Sequence, residues 1–135
     1  AIIPEGEKDM AWRIGDRGFE IALSAYVPDL IGRNVKAILA PIVESGALQM
    51  ADIGTWAVHP GGKAILDKIE KELSLTSGQL AASRDVLRQY GNMSSATTLF
   101  VLKRSLEGAV PDRPCVCAMA FGPGLTVETA IMSRR

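Results

Sequence analysis

Apolar residues recur along this chain at two periods, and the switches between them mark out its elements. Met10–Ile14 and Phe19–Ala25 read as strands. Phe19, Ile21, Leu23 and Ala25 alternate with Glu20, Ala22 and Ser24, the period of a half-buried strand. Between the two runs, Gly15-Asp16-Arg17-Gly18 supplies turn chemistry, so a hairpin is expected. Leu30, Ile31, Val35, Ile38, Leu39 and Ile42 then fall at helical spacing. Pro28 and Asp29 suit the first turn of that helix and Gly46 suits its end. Pro41 conflicts with this pattern and predicts a kink or a division.

Asp52–His59 reads as a buried strand, broken by Gly61-Gly62. Lys63–Leu73 follows as an amphipathic helix with Ile65, Leu66, Ile69 and Leu73 inward. Lys63, Asp67, Lys68, Glu70, Lys71 and Glu72 make its solvated face. Ser83 is placed to cap a short helix through Tyr90, with Val86, Leu87 and Tyr90 inward and Gly91 as its stop. Asn92 stands at the start of a helix over Met93–Leu106, apolar on most sides and therefore expected to be buried. Cys115–Phe121 and Leu125–Met132 close the chain as strands joined by Gly122-Pro123-Gly124. The order is ββ-α-β-α-α-α-ββ, a mixed α/β layer structure. Residues 1–9 form a polar lead-in before the domain proper, 10–135.

The chain has 135 residues, the size of one ordinary domain. Fifteen basic residues balance fifteen acidic ones, with no long basic run. That balance prepares no surface for a nucleic-acid backbone or an anionic membrane. No apolar stretch approaches the roughly 20 residues that span a bilayer. The single histidine, His59, excludes a multi-histidine metal site, and no metal is expected. Cys115 and Cys117 are two residues apart, so in a strand they share a face at about 7 Å, too far for an easy disulfide. They read as small buried hydrophobes, and reduced thiols fit a cytoplasmic setting.

Three spots carry candidate chemistry. His59 ends a strand just before a helix, in the crevice region that ligands favour in α/β sheets. A lone histidine is more often a structural residue, so position alone does not decide its role. Gly61 and Gly62 behind it form a plain turn or admit a close neighbour. Asn92 either caps its helix through the side-chain oxygen or turns its amide N–H toward a substrate, where the helix dipole reinforces it. Ser94 and Ser95 keep that first turn slim. Phe121-Gly122-Pro123-Gly124 is a rigid loop or a simple hairpin connection. A histidine and an asparagine amide together hold a developing oxyanion, and with a cysteine nucleophile they make an acyl-transfer site. Neither cysteine here sits at a helix N-terminus that lowers a thiol pKa.

Trp56-Ala57-Val58-His59-Pro60-Gly61-Gly62-Lys63-Ala64-Ile65-Leu66-Asp67, Tyr90-Gly91-Asn92-Met93-Ser94-Ser95-Ala96 and Phe121-Gly122-Pro123-Gly124-Leu125-Thr126-Val127-Glu128-Thr129 together resemble the chalcone and stilbene synthases. These are the type III polyketide synthases of the thiolase-like superfamily. The resemblance covers only the C-terminal part of the family's length and implies half of a thiolase-like fold. It also implies a Cys-His-Asn triad, with His59 and Asn92 matching two members. The cysteine belongs to the family's N-terminal half, so the lead-in reads as a cut between halves and the isolated chain is expected to be inactive.

The resemblance implies decarboxylative Claisen chemistry between a coenzyme A-linked starter and malonyl-CoA. The thioesters are substrates; no cofactor and no carrier protein is needed. It places Gly61, Gly62, Lys63 and Ala64 near the coenzyme A tunnel. Ser94, Phe121, Gly122, Pro123 and Gly124 match cavity-lining positions. Trp12–Ile21 aligns with a region that lines the cavity and gates the tunnel: Ile21 falls where plant members carry phenylalanine, and Trp12 falls near a position often occupied by glycine. The Gly15–Glu20 style looks bacterial. Family members are homodimers. The lost partner half is expected to leave an apolar flank, with Met119 and Cys117 candidates for it. Two other readings stand beside this one: a ketoacyl-carrier-protein synthase relative, and a non-catalytic module that keeps the fold.

Overall fold

The structure, a computed structural model, describes residues 1–108, 113 and 115–133. Its main elements are β1 (Met10–Gly15), β2 (Gly18–Leu23), α1 (Val27–Ser45), β3 (Ile53–Val58), α2 (Lys63–Glu72), α3 (Ala81–Tyr90), α4 (Ser95–Glu107), β4 (Cys115–Gly122) and β5 (Thr126–Ser133). Short 3-10 turns at Pro4–Gly6, Met50–Asp52 and Ser77–Leu80 complete the order. The ββ-α-β-α-α-α-ββ succession expected from the sequence is the one observed.

β4 is the centre of a three-stranded mixed sheet. It pairs in parallel with β3 (Trp56 opposite Cys117) and antiparallel with β5 (Ala118 opposite Ala130). Because successive strand side chains point to opposite faces, each strand feeds two cores. Trp56 and Val58 of β3, with Cys115, Cys117 and Met119 of β4, join α1 and α2 on one face. Ala57 and Val116 join Val86 of α3 and Val101 of α4 on the other. The result is a helix–sheet–helix sandwich. It leaves Met119 and Cys117 in the main core, not on an exposed flank.

The β3 edge opposite β4 is covered by side chains instead of another strand. Val58 N–H donates to Ser83 Oγ (3.0 Å), Ser83 O–H donates to the Trp56 carbonyl (3.4 Å) and Gln79 Nε2 donates to the Ile53 carbonyl (3.2 Å). Ser83 is therefore not a cap. It lies inside α3, fully buried, and satisfies strand groups that would otherwise be orphaned.

Other expectations need correction. Pro41 neither ends nor divides α1, because it sits on the exposed side of the helix, where the bond lost from the Ala37 carbonyl faces water. The charged face of α2 is only partly solvated: Lys68 Nζ reaches Asp29 of α1 at 2.8 Å, and Arg84 of α3 grips Asp67 and Glu70, each at 2.8 Å. The lead-in is packed, with Ile3 in the core and Ala1–Ile3 hydrogen-bonded to Leu125 and Val127 beside β5. α4 starts at Ser95, and of its residues only Thr97, Val101 and Ser105 are buried; Leu99 and Phe100 are exposed, as is Tyr90 of α3.

The hairpin carries the largest departure. β1 and β2 pair in the register Met10–Leu23, Trp12–Ile21 and Ile14–Phe19, so these six side chains share one face. The alternation read from the sequence is real, but that face is open: Ile14 is 86% and Phe19 76% exposed. Trp12 and Phe19 make an edge-to-face contact there, with centroids 6.4 Å apart.

Candidate active site

His59 continues β3 by one residue. Its backbone N–H donates to the Met119 carbonyl of β4 (2.8 Å), carrying the parallel ladder to the strand's C-terminal end. Pro60 and Gly61 then turn the chain, with Gly61 N–H returning to the His59 carbonyl (3.0 Å). Gly61 has a packing reason: a Cβ there would lie 2.9 Å from Ile65 Cδ1. His59 is 9% exposed, and burial pushes its pKa below the ordinary 6.5, which favours the neutral ring. Its Nδ1 meets Thr98 Oγ1 at 3.2 Å.

Asn92 is fixed from two sides. Its Oδ1 accepts the Ser94 N–H (2.9 Å), and its Nδ2 donates to the Gly61 carbonyl (3.2 Å). The side-chain oxygen makes the local turn bond, and the amide that the sequence offered to a substrate is here engaged by the Gly61 carbonyl. The oxygen serves the chain, and the amide nitrogen, with two N–H groups, ties the α4 side of the site to the turn behind His59. Ser94, the residue before α4, takes φ +57°, a conformation that L side chains rarely adopt. Strain of this kind costs on the order of 1–3 kcal/mol and clusters at functional sites.

One cavity of about 470 Å³ gathers His59, Asn92, Ser94, Trp12, Ile21, Phe121, Gly122 and Pro123 from five separate stretches of chain. Sequence reading named all eight. It missed Met10, Ala120 and Thr98 on the same wall. Thr98 had a signal, since it lies one helical turn beyond Ser94 and Ser95, on the same side of α4. Gly61, Gly62 and Ala64 line a different cavity of about 400 Å³ with Leu23–Ala25, Val27 and Pro28. Lys63 and Gly124 line neither. The Lys63 side chain is 82% exposed beside Asp67, and Gly124, at φ +74°, donates its N–H to the Met10 carbonyl (2.7 Å), fastening the β4–β5 turn to the start of β1.

Electrostatically the His59 cavity is plain. No charged side chain lines it among the described residues. The N-terminal end of α4 opens onto it through Ser94 and Ser95, so the positive end of that helix dipole faces the imidazole and the amide. Such a wall suits a developing negative charge on oxygen. No cysteine lines it among the described residues: Cys117 is fully buried in the core, and burial pushes its thiol up to about 12. Cys115 is buried as well, and both thiols are free. Among the described residues no cluster of His, Cys, Asp and Glu is arranged to hold a metal ion, and no helix is long and apolar enough to cross a membrane.

The strand-end His59 and Asn92, just before α4, thus share one cavity wall in a layered α/β fold. The family "Chalcone and stilbene synthases, C-terminal domain" matches residues 1–134, and the chain belongs to it. Bisdemethoxycurcumin synthase of Oryza sativa subsp. japonica is 40% identical over 143 aligned residues, covering 97% of this chain and 35% of the relative. The crystal structure of PKS-I from the brown alga Ectocarpus siliculosus matches with a TM-score of 0.87 at 30% identity, covering 98% of this chain and 37% of that one. The chain thus spans about a third of the length of these relatives. Neither is bacterial, so the bacterial style of the hairpin rests on its sequence alone.

Proposed function

We propose that this chain is the part of a type III polyketide synthase that supplies the histidine and asparagine of a Cys-His-Asn triad. The observation that carries the reading is the shared wall of His59 and Asn92, uncharged and with no cysteine among its described lining residues. In the complete enzyme, a cysteine outside these residues takes a starter acyl group from coenzyme A. Malonyl-CoA then binds. Loss of carbon dioxide leaves an enolate whose oxygen accepts hydrogen bonds from His59 and Asn92. The carbanion attacks the cysteine thioester, expels the thiolate and leaves a chain two carbons longer on coenzyme A. Trp12, Ile21, Ser94 and Phe121 bound the space into which the product grows. Gly61, Gly62 and Ala64, around the second cavity, face the coenzyme A arm.

The open apolar face of the hairpin, with Tyr90, Leu99 and Phe100 beside α4, fits a surface that the remaining two-thirds of the protein covers. The full-length enzyme is then a homodimer, as its family resemblance implies.

Full-length protein given radiolabelled malonyl-CoA and an acyl-CoA starter should release carbon dioxide and form polyketide products, while the 135-residue chain alone should do neither. Condensation by the isolated chain would overturn the assignment of an external nucleophile. A full-length protein that accepts malonyl groups only from a carrier protein would place it with the ketoacyl-carrier-protein synthases instead. An upstream coding region without a cysteine-bearing half would leave a non-catalytic module.

A further inference from the structure

We propose that Thr98 is the positioning residue of His59: its hydroxyl donates to Nδ1, so the ring proton resides on Nε2 and faces the cavity as a hydrogen-bond donor. The inference rests on the reading of His59 as an enolate-stabilising group, and it says which nitrogen does the work and what holds it there.

Three observations carry it. First, Thr98 Oγ1 lies 3.2 Å from Nδ1, and both residues line the same cavity. A nitrogen engaged by α4 is not the one offered to a substrate. Second, among the described residues the Thr98 hydroxyl has no other side-chain or backbone partner. If it accepted a proton from Nδ1–H, its own O–H would point at no protein acceptor. If it donates to the Nδ1 lone pair, both groups are satisfied. Third, no carboxylate lines the cavity among the described residues. A carboxylate beside Nδ1 accepts only, and would force the proton onto Nδ1, leaving Nε2 an acceptor. A hydroxyl is the partner that permits the opposite tautomer. Nε2–H is the form that a developing oxyanion requires from a neutral histidine, and the buried, uncharged surroundings keep the ring neutral.

The pairing also answers for a small feature of α4. Thr97 and Thr98 are adjacent hydroxyl residues with separate tasks. The Thr97 hydroxyl takes the Met93 N–H (2.7 Å) and helps close the start of the helix, while Thr98, next along, reaches His59.

The test is a tautomer measurement on the full-length protein, with histidine labelled by nitrogen-15 and the His59 signals identified by their loss in His59→Gln. At a pH above its titration, long-range proton–nitrogen spectra should show Nε2 protonated and Nδ1 bare. Thr98→Ser should keep that pattern, and Thr98→Val, close in shape but without the hydroxyl, should lose it in favour of a mixture or of Nδ1–H. A parallel assay follows decarboxylation of malonyl-CoA: Thr98→Val should lower kcat about tenfold, the size of one hydrogen bond's contribution, with KM little changed and Thr98→Ser near wild type.

Protonated Nδ1 in the wild type, or a spectrum unchanged in Thr98→Val, overturns the proposal whatever the kinetics. A Thr98→Ser variant that fails as badly as Thr98→Val shows a packing role only and also overturns it. Failure of the wild type to decarboxylate malonyl-CoA overturns the polyketide reading instead, and the tautomer spectra still decide the role of Thr98.

Discussion

Ser83→Ala isolates one buried interaction that holds the strand carrying His59. Ser83 and Val58 are both sealed from solvent, and the Val58 N–H on the outer edge of β3 has the Ser83 hydroxyl as its partner at 3.0 Å. Removing the hydroxyl leaves that N–H unpaired, together with the weaker contact to the Trp56 carbonyl at 3.4 Å. Stranding a buried donor costs about 1–3 kcal/mol, more than the net value of the bond itself. For a 135-residue chain the entropy of unfolding is roughly 0.28 kcal/mol per degree, so a loss of about 2 kcal/mol lowers Tm by about 7 °C. Urea denaturation followed by circular dichroism measures this, with Ser45→Ala as a control. Among the described residues Ser45 Oγ bonds only the Ile42 carbonyl on the exposed end of α1, and its loss should stay within about 0.5 kcal/mol. Amide exchange at Val58 should quicken in Ser83→Ala alone. A Ser83→Ala chain as stable as the Ser45→Ala control would refute the idea that this side chain stands in for a missing strand at the β3 edge.

Four more outcomes are expected. His59→Ala and Asn92→Ala in the full-length protein should each reduce malonyl-CoA decarboxylation by roughly 10²–10³-fold, the usual effect of deleting one oxyanion donor, as read by release of labelled carbon dioxide. His59 has a folded pKa below its unfolded one, so the unfolded state gains the proton first as pH falls. Stability should therefore decline as pH drops through about 6.5 and level off below the folded pKa, and urea midpoints across that range should lose this slope in His59→Gln. Cys115 and Cys117 should resist a thiol reagent in the native chain and react together on unfolding, since both are buried and Cys117 is held up to about 12; rapid native labelling of Cys117 would contradict its place in the core. Pro41→Ala should raise stability by about 1–2 kcal/mol in a thermal melt, because it restores a helical bond on a face that is already solvated.

What the residues determine on their own is local. Alternation places Met10, Trp12 and Ile14 opposite Phe19, Ile21 and Leu23, and the observed register agrees with it. Helical spacing assigns Leu30, Ile31, Val35 and Leu39 to the buried side of α1. The glycines after His59 and before Asn92 mark two breaks beside helix starts, and the three motifs that contain them point to one family. Those features were legible because backbone period and turn chemistry act over a few residues.

Tertiary structure decided the rest. Pattern shows that a face is apolar, not what lies against it, so the hairpin and the Leu99–Phe100 side of α4 are exposed here although their sequences ask for cover. Ser83 looked like a cap because serine favours caps; only the arrival of β3 beside α3 makes its hydroxyl a partner for Val58. Thr98 carried no motif, and its link to His59 spans 39 positions. Asn92 and Gly61, 31 apart, meet because β3 ends and α4 begins at the same side of one sheet. Spacing along a chain fixes periods, whereas contacts across it depend on how the layers stack. The sequence therefore held the two candidate groups, and the fold alone brought them to a common cavity and chose the nitrogen that faces it.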